Sequence, residues 1–393
     1  MDKKNNVFKF LFFFSYFFIS LYYAFQKVDY IGTVFQFIYH YILPLLLLFI
    51  VLLQKSKYKV STFILIILLE VLGLLAYYIS KNAEVFFTIS FIVIGYNVEL
   101  DEFIKFDLIL KIILLFLVFF LFKIGLAPDV ILYREDGFLR HSYGFIHPNT
   151  LGSMFLLISA DLSYLYNLKK KKKTSLLFIL LIMLSFSYFL CDSRSSEFGI
   201  VILILLNIFL PLFKKSKIFK KIVVFLPITM LCLSIVSVIL YKQNFSIAYT
   251  LNDILSNRIK HAYNFMDYYG INLFGHFFEY YGRLDHYYYL SVLDNAYINL
   301  LIQFGIILTF IMIYIYTIII KKAVQNNKYE IVILMILLSF YGLMEHYIFV
   351  IVYSPILMAF SDILYLKKRD EKCNLNDRLI SDKERKISNN EKK

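Results

Sequence analysis

Apolar residues occur along this chain in long unbroken blocks that are separated by short polar segments. Most blocks run for roughly 17–22 residues, the length of helix that crosses about 30 Å of hydrocarbon. Backbone groups inside lipid must bond to one another, so such blocks are expected to be helices. Strands of a membrane barrel would alternate apolar and polar positions, and stretches such as 45–53 and 110–122 do not alternate. The pattern predicts an all-α, polytopic integral membrane protein.

About twelve transmembrane helices are predicted from these blocks. They lie at 7–25, 34–53, 60–80, 84–100, 106–125, 149–168, 174–191, 197–213, 222–241, 293–320, 331–345 and 348–366. The first block follows two lysines, as the apolar part of a signal peptide would. It is long and rich in aromatic residues and has no small-residue cleavage site, so we interpret it as an uncleaved helix.

Lysines gather at the N-terminus and in four of the five even-numbered connections between the predicted helices, and the fifth, Glu99–Asp107, is acidic. The lysine-rich connections carry Lys55, Lys57 and Lys59; Lys169 to Lys173; Lys214, Lys215, Lys217, Lys220 and Lys221; and Lys321, Lys322 and Lys328. Positive charge in short loops marks the cytoplasmic side of a membrane protein. Both termini are therefore predicted to be cytoplasmic.

This orientation divides the chain into a membrane domain, 1–366, and a basic cytoplasmic tail, 367–393. The tail is charged and lacks aromatic residues, a composition typical of disordered segments. The predicted extracytoplasmic loops are 126–148, 192–196 and 242–292, and the largest lies between helices 9 and 10. Long loops without repeats commonly carry function.

The composition agrees with a membrane protein. It predicts a lipid bilayer and lipid-linked molecules as partners. Hydrophobic residues make up 60% of the chain and the mean hydropathy is +0.69, whereas soluble chains are about 45–50% apolar. Cytoplasmic lysines and the tail account for most of the net charge of +13, so we expect no nucleic-acid partner. The three cysteines have no paired spacing, which indicates neither a disulfide framework nor a metal site.

Arginine is distributed differently from lysine. The five arginines outside the tail all fall in predicted outward loops, and these are Arg134, Arg140, Arg194, Arg258 and Arg283. The orientation rule explains inward lysine but not outward arginine. The guanidinium fork holds phosphate or carboxylate through two parallel hydrogen bonds, so the set indicates an anionic ligand at the outer face. The alternative is that these arginines pair with nearby acids.

Histidine shares this bias toward the outer face. Six of the seven histidines lie there, namely His141, His147, His261, His276, His286 and His346. Exposed histidines are commonly just solvated, but six of them beside five arginines suit a polar site for acid–base chemistry. No HExxH or comparable spacing occurs, so no metal is predicted.

Two outward segments each end at the start of a helix. In the segment 140–152, Pro148 ends the loop and Asn149 or Thr150 can cap the helix that follows. The start of such a helix is a ready anion site. In the hairpin 191–197, Arg194 at the membrane surface requires a partner, which would be a lipid-linked phosphate or Asp192.

The other two candidate segments lie later in the chain. The loop 242–292 is dense in aromatic residues, which suit stacking on sugar rings and equally suit a membrane interface. Asp294 opens the tenth helix, where it could serve as a cap, and Glu345 interrupts an apolar stretch. An intramembrane acid is by default a candidate functional residue.

In this order the residues resemble the pattern of Wzy-type oligosaccharide repeat-unit polymerases and the related O-antigen ligases. The matching pieces span about 140–360 and are Gly144-Phe145-Ile146-His147-Pro148-Asn149-Thr150-Leu151-Gly152, Ser193-Arg194-Ser195, Arg258 with Leu273-Phe274-Gly275, Asp294-Asn295-Ala296-Tyr297 with Gly305, and Glu345. Two departures are visible. The chain has no tryptophan, so Tyr263 stands where relatives often carry one after the loop arginine. Ligases usually have histidine where this chain has Asp294, which favours a polymerase.

The resemblance implies an enzyme of the bacterial cytoplasmic membrane that uses an undecaprenyl-diphosphate-linked oligosaccharide. A sugar hydroxyl of a second lipid-linked unit would attack the anomeric carbon with inversion and release undecaprenyl diphosphate. The product would be a capsule, an exopolysaccharide or an O-antigen. No cofactor is implied, and the protein partners would be a flippase and a chain-length regulator.

The resemblance also suggests a role for each candidate residue. Asp294 is the first choice for activating the attacking hydroxyl, with His286, His147 and Glu345 as rivals. The predicted contacts to the diphosphate or the glycan are Arg194, Arg258, Arg140, Arg283, Asn149 and Asn295.

Two other classes of function stay open. A flippase for lipid-linked oligosaccharides should carry charged residues inside its helices, whereas Glu70 looks like nearly the only acid deep within a helix. A sensor or scaffold would tolerate replacement of the outward arginines.

Overall fold

The computed structural model describes residues 3–26, 28, 31–54, 60–133, 139–279, 281–284, 288–290 and 292–365. The predicted tail 367–393, the candidate His286, Arg134 and the lysines at 55–59 lie outside the described residues. The helices are α1 Lys3–Phe25, α2 Ile31–Phe37, α3 Leu43–Leu53, α4 Val60–Ser80, α5 Glu84–Ile94, α6 Leu100–Lys123, α7 Pro148–Leu168, α8 Lys173–Phe186, α9 Arg194–Lys215, α10 Lys217–Lys242, α11 Ser246–Ile254, α12 Arg258–Tyr269, α13 Ala296–Gln303, α14 Gly305–Gln325 and α15 Tyr329–Tyr341.

Seven helical stretches are long and apolar enough to cross a membrane. They are Asn6–Phe25, Ile31–Leu53, Val60–Ser80, Lys173–Cys191, Arg194–Leu212, Lys217–Lys242 and Gly305–Gln325. A π turn joins α2 to α3, and another extends α8. The prediction of an all-α, polytopic membrane protein is confirmed at this level. The count of twelve spans and the side of each terminus stay predictions.

Two predicted helices are interrupted in the structure. The helix predicted at 293–320 begins at Ala296 and breaks at Phe304, because Gly305 has a φ of +85° that a regular helix does not allow. The helix predicted at 348–366 is replaced by short 3₁₀ turns until Pro355, after which Pro355–Tyr365 is helical. Proline disfavours helical backbone in the residue before it.

The loops predicted to face outward contain regular structure that the apolar pattern did not predict. In the loop 126–148, strands β1 (Ile131–Tyr133) and β2 (Leu139–His141) form an antiparallel hairpin. The loop 242–292 contains α11, α12 and a second hairpin, β3 (Tyr281–Leu284) with β4 (Tyr288–Leu290). A separate small core holds this loop against α10 and α13, and its buried members include Val238, Phe265, Phe278, Leu290 and Ile298.

Charged side chains lie deep between α1, α6 and α7. Lys111 Nζ lies 3.0 Å from Asp161 Oδ2 and also contacts Asp107, with the three side chains 4%, 2% and 1% exposed respectively. The Tyr16 hydroxyl donates to Asp107 Oδ1 at 2.7 Å. The prediction that Glu70 is nearly the only acid within a helix is therefore wrong. The apolar pattern did not reveal that Asp107 and Lys111 of α6 meet Asp161 of α7, because the two helices are far apart in the sequence.

Candidate functional site

Four helices begin around one carboxylate. Asn149 is the second residue of α7, Ser195 the second of α9 and Arg258 the first of α12, while Asp294 comes two residues before α13. The carboxylate is Glu345, which follows α15 and receives hydrogen bonds from the first three. The start of a helix carries a partial positive charge and unpaired N–H groups. The arrangement therefore directs several positive helix ends toward the same point.

Glu345 is the hub of this site. Its Oε1 accepts from Ser195 Oγ at 2.6 Å, from Arg258 Nη2 at 3.3 Å and from Asn149 Nδ2 at 3.4 Å. Its side chain is only 2% exposed. A buried carboxyl needs such donors because water cannot reach it. These contacts hold α7, α9, α12 and the end of α15 together.

Arg258 lies between two carboxylates and is fixed by backbone groups. Its Nε donates to the Met344 carbonyl at 2.7 Å, and its Nη1 donates to the Leu255 carbonyl at 3.3 Å. The same Nε lies 3.5 Å from Asp294 Oδ2. Within the described part of the chain, these contacts and the one to Glu345 engage three of the five guanidinium donors. The side chain can therefore bind a further anion without leaving its anchors.

The two carboxyl groups differ in burial, and this difference decides which of them is protonated more readily. Asp294 is 21% exposed and Glu345 is 2% exposed. Burial, followed by the negative charge of Asp294, raises the pKa of Glu345 to about 8. Burial also raises the pKa of Asp294, against the lowering effect of Arg258. Of the two groups, the less buried Asp294 therefore holds the negative charge more readily, and Glu345 holds the proton more readily.

The first outward loop joins the site through Arg140 and His147. Arg140 Nη2 donates to Asn149 Oδ1, and its Nε donates to the Cys191 carbonyl at 3.1 Å. The predicted cap of α7 was Asn149 or Thr150, but the cap is His147, whose Nδ1 accepts from the Asn149 N–H at 3.0 Å. Burial and the nearby Arg140 lower the pKa of His147 to about 4. His147 is therefore a neutral cap, with Nδ1 already engaged.

Gly152 explains how α7 and α9 approach closely enough to share Glu345. A Cβ at Gly152 would lie 2.3 Å from the Cβ of Ser193. Real Cβ contacts are not that short, so a larger residue would push α9 away. Glycine at this position brings Asn149 and Ser195 to the same carboxylate.

The other predicted residues have different places. Asn295 caps α13 by accepting from the N–H groups of Tyr297 and Ile298, and its Nδ2 donates to Ser234 Oγ at 3.0 Å. It is 8% exposed, and it supports the site by fixing the start of α13. Arg194 is the exposed first residue of α9. Arg283 lies in β3, where its side chain is not described.

Ser195 and His346 belong to the site although neither was a predicted site residue. Ser195 is part of the Ser193-Arg194-Ser195 motif. The motif could therefore have indicated it, but only Arg194 was given a role. His346 Nδ1 lies 4.0 Å from Asp294 Oδ1, and burial lowers the pKa of His346 to about 4. Among the residues that the structure describes, no group of three or more His, Cys, Asp or Glu could hold a metal ion.

Comparison with known proteins finds no matching family model, no matching curated protein and no matching solved structure.

Proposed function

We propose that this chain is a polymerase that joins undecaprenyl-diphosphate-linked oligosaccharide repeats at the outer face of the bacterial cytoplasmic membrane. A sugar hydroxyl oxygen of one repeat attacks the anomeric carbon of another. A new glycosidic C–O bond forms while the bond from that carbon to the diphosphate breaks. The hydroxyl proton passes to Asp294, and undecaprenyl diphosphate leaves with the bonding electrons. The product is a surface polysaccharide.

The observation that carries this proposal is the cluster of Arg258, Asp294 and Glu345 among four helix starts. Positive helix ends and a fixed arginine suit a diphosphate, which gains negative charge as the bond breaks. Asp294 suits the role of base because it is ionised, partly exposed and of raised pKa. Protonated Glu345 can donate a hydrogen bond without repelling the anion. The motif resemblance supplies the reaction class.

The proposal is tested by replacing Asp294 with asparagine. Asparagine keeps the size and the polarity but cannot take a proton, so we expect a fall in polymer of about 10²–10⁴-fold. The assay incubates purified protein with lipid-linked repeats and follows both polymer length and released lipid diphosphate. The matched control is Asp253→Asn, which changes an exposed acid in α11 of the large loop. Unchanged turnover in Asp294→Asn would overturn the proposed base.

A second test replaces Arg258 with lysine. Lysine keeps the charge but loses the fork that bonds Met344 and Glu345 together, so we expect turnover to fall even where the protein inserts normally. The control is Lys260→Arg, a reciprocal change at an exposed position of the same helix. Equal activity in both variants would contradict a role for the fork.

A second candidate function is proton-coupled export of a lipid-linked oligosaccharide. The observation that favours it is the buried set of Lys111, Asp107 and Asp161, since buried charges within helices mark coupling sites in carriers. One lysine and two carboxylates are neutral only when one carboxyl holds a proton. A small cavity of about 30 Å³ beside Lys111 and Asp107 is also lined by Thr150, next to the site.

Vesicles separate the two functions. In proteoliposomes without a polymerisation acceptor, a carrier would move labelled lipid-linked repeats between leaflets, and Asp161→Asn would stop that movement. A polymerase would show no such transfer, and Asp161→Asn would leave the products of glycosidic bond formation unchanged. Transfer between leaflets that depends on Asp161 would replace the polymerase proposal.

A further inference from the structure

A cavity with polar and aromatic walls lies beside the site. It is bounded by α1, the π turn after α2, the α4–α5 connection and the large loop 242–292. Its volume is about 340 Å³, within the range of small-molecule sites. Tyrosine and phenylalanine rings supply flat walls, while amide and carboxyl groups supply hydrogen-bond partners. Its lining includes Tyr22, Tyr39, Asn82, Glu84, Phe277 and Gln303.

The aromatic wall of this cavity is already assembled. The rings of Tyr22 and Tyr39 stack with their centroids 3.8 Å apart. Phe277, from the large loop, is 49% exposed and also lines the cavity. A half-exposed ring at the edge of a cavity can pack against a ligand that enters the cavity. Rings of this kind fit the apolar faces of sugars.

The polar groups of the cavity are held in position. Asn82 Nδ2 donates to Glu84 Oε2 at 3.1 Å and to Gln303 Oε1 at 3.4 Å, and the Tyr23 hydroxyl donates to Glu84 Oε1 at 3.3 Å. Each of these side chains has further donor or acceptor capacity. Lys81 and His40 also line the cavity. Fixed amide and carboxyl groups next to aromatic rings are suited to the hydroxyl groups of a saccharide.

The cavity connects with the site in two ways. Asp294 and Gln303 lie at opposite ends of α13, an eight-residue helix whose length is about 12 Å. An adjoining cavity of about 400 Å³ shares Tyr22 and Gln26 and is also lined by Ile146, the neighbour of the cap residue His147. A chain of several sugar rings can span this separation, and a single sugar cannot.

A row of aromatic rings runs from the neighbourhood of Asp294 to this cavity. The His346 and Tyr347 rings lie 3.9 Å apart, Tyr347 and Tyr353 stack at 4.4 Å, and Tyr353 meets Tyr23 at 5.4 Å between centroids. His346 is beside Asp294, whereas Tyr23 lines the cavity.

We infer that this cavity is a saccharide subsite that holds the non-reacting sugars of a lipid-linked repeat while its reacting end lies at Asp294. The inference rests on the proposed function and adds the place where the glycan is recognised. It predicts that the cavity binds oligosaccharide freed of its lipid, and that its residues govern substrate affinity rather than the chemical step.

The experiment measures binding and kinetics on the same set of variants of the full-length protein in lipid nanodiscs. The probe is the oligosaccharide repeat of the cell's own surface polysaccharide, without lipid, and calorimetry gives its affinity. We expect Tyr22→Ala and Gln26→Ala each to weaken binding about tenfold and to raise KM for the lipid-linked repeat with kcat kept. The control is Tyr41→Ala, an exposed ring near Tyr39 that does not line the cavity.

The outcomes separate this inference from the proposed function. Unchanged affinity and KM in both cavity variants, or no binding by the unaltered protein, would overturn the subsite. If Asp294→Asn binds the probe normally but forms no polymer, both proposals stand. If the probe binds as expected and no condition yields polymer or lipid diphosphate, the polymerase is refuted while the subsite is kept.

Discussion

At the scale of the residue, the chemistry depends on which of two carboxyl groups holds the proton. Asp294 and Glu345 both lie against Arg258, and one arginine cannot balance two negative charges. Glu345 is the more buried of the two, and it is the one that stays protonated because water and solvent ions reach it least. Sequence reasoning placed both acids and Arg258 among the candidates. It could not assign the proton, because burial is set by residues that are far apart in the chain.

The activity is therefore expected to have a bell-shaped pH dependence. It rises as Asp294 loses its proton, at a pH above the ordinary value for aspartate, because the pKa of Asp294 is raised. It falls as the pH passes about 8, where Glu345 ionises and adds a negative charge beside the leaving diphosphate. Initial rates of polymer formation, measured from roughly pH 4 to 10, test this dependence.

Replacing Glu345 with glutamine tests the origin of the alkaline limb. Glutamine reproduces the neutral form of Glu345 and can still accept from Ser195 and Arg258. We expect activity at neutral pH to stay within about threefold and the fall near pH 8 to disappear. A lost alkaline limb together with preserved activity supports the assignment. A variant that is inactive while inserted and stable would show that the ionised form is required.

At the scale of the element, the large loop docks by its backbone onto the break between α13 and α14. The N–H groups of Ile306 and Ile307 donate to the carbonyls of Asn272 and Leu273, and the His276 N–H donates to the Gln303 carbonyl. These bonds satisfy the unpaired start of α14. Sequence reasoning noted both Gly275 and Gly305 as motif pieces. Their meeting was hidden because it needs the helix break, which the apolar pattern around 293–320 does not reveal.

Gly275→Ala should loosen this docking. A Cβ at Gly275 would lie 2.1 Å from the Gln303 carbonyl oxygen, and its φ of +88° already disfavours other residues. Gly125→Ala is the matched control, because Gly125 has a φ of +78° but no neighbour within 4 Å. We expect the control substitution to lower the free energy of unfolding by only about 1–2 kcal/mol. Gly275→Ala should lower it by clearly more.

Thermal unfolding in detergent and limited proteolysis of the large loop measure the difference. Equal melting temperatures and equal cleavage in the two alanine variants would contradict the docking argument.

At the scale of the whole molecule, the seven long apolar helices follow from the hydropathy pattern, whereas the charges inside the bundle do not. The set of Asp107, Lys111 and Asp161 joins α6 to α7, and Tyr16 brings in α1. Each residue looks incidental in its own helix, and only packing reveals that they share one place. Hydropathy therefore predicts membrane residence well and says little about what the helices enclose.

Lys111→Met should destabilise the bundle strongly. The change leaves two carboxyl groups without their cation, and breaking a buried charge set by removing one partner costs about 3–5 kcal/mol. Replacing all three residues by apolar ones of similar size should restore much of the thermal stability. If the triple variant also keeps polymer formation, the charges serve folding alone. If Lys111→Met unfolds no more readily than the unaltered protein, the balance of charge described here is wrong.

The helix starts around Glu345 have a consequence for turnover. Their charge belongs to the backbone and cannot be withdrawn once the glycosidic bond has formed. In the proposed reaction the departing lipid diphosphate carries more negative charge than the substrate does, so the site holds it at least as strongly. We therefore expect departure of the spent lipid to set the pace of each cycle. A neighbouring process that consumes this lipid would then accelerate chain growth without touching the protein.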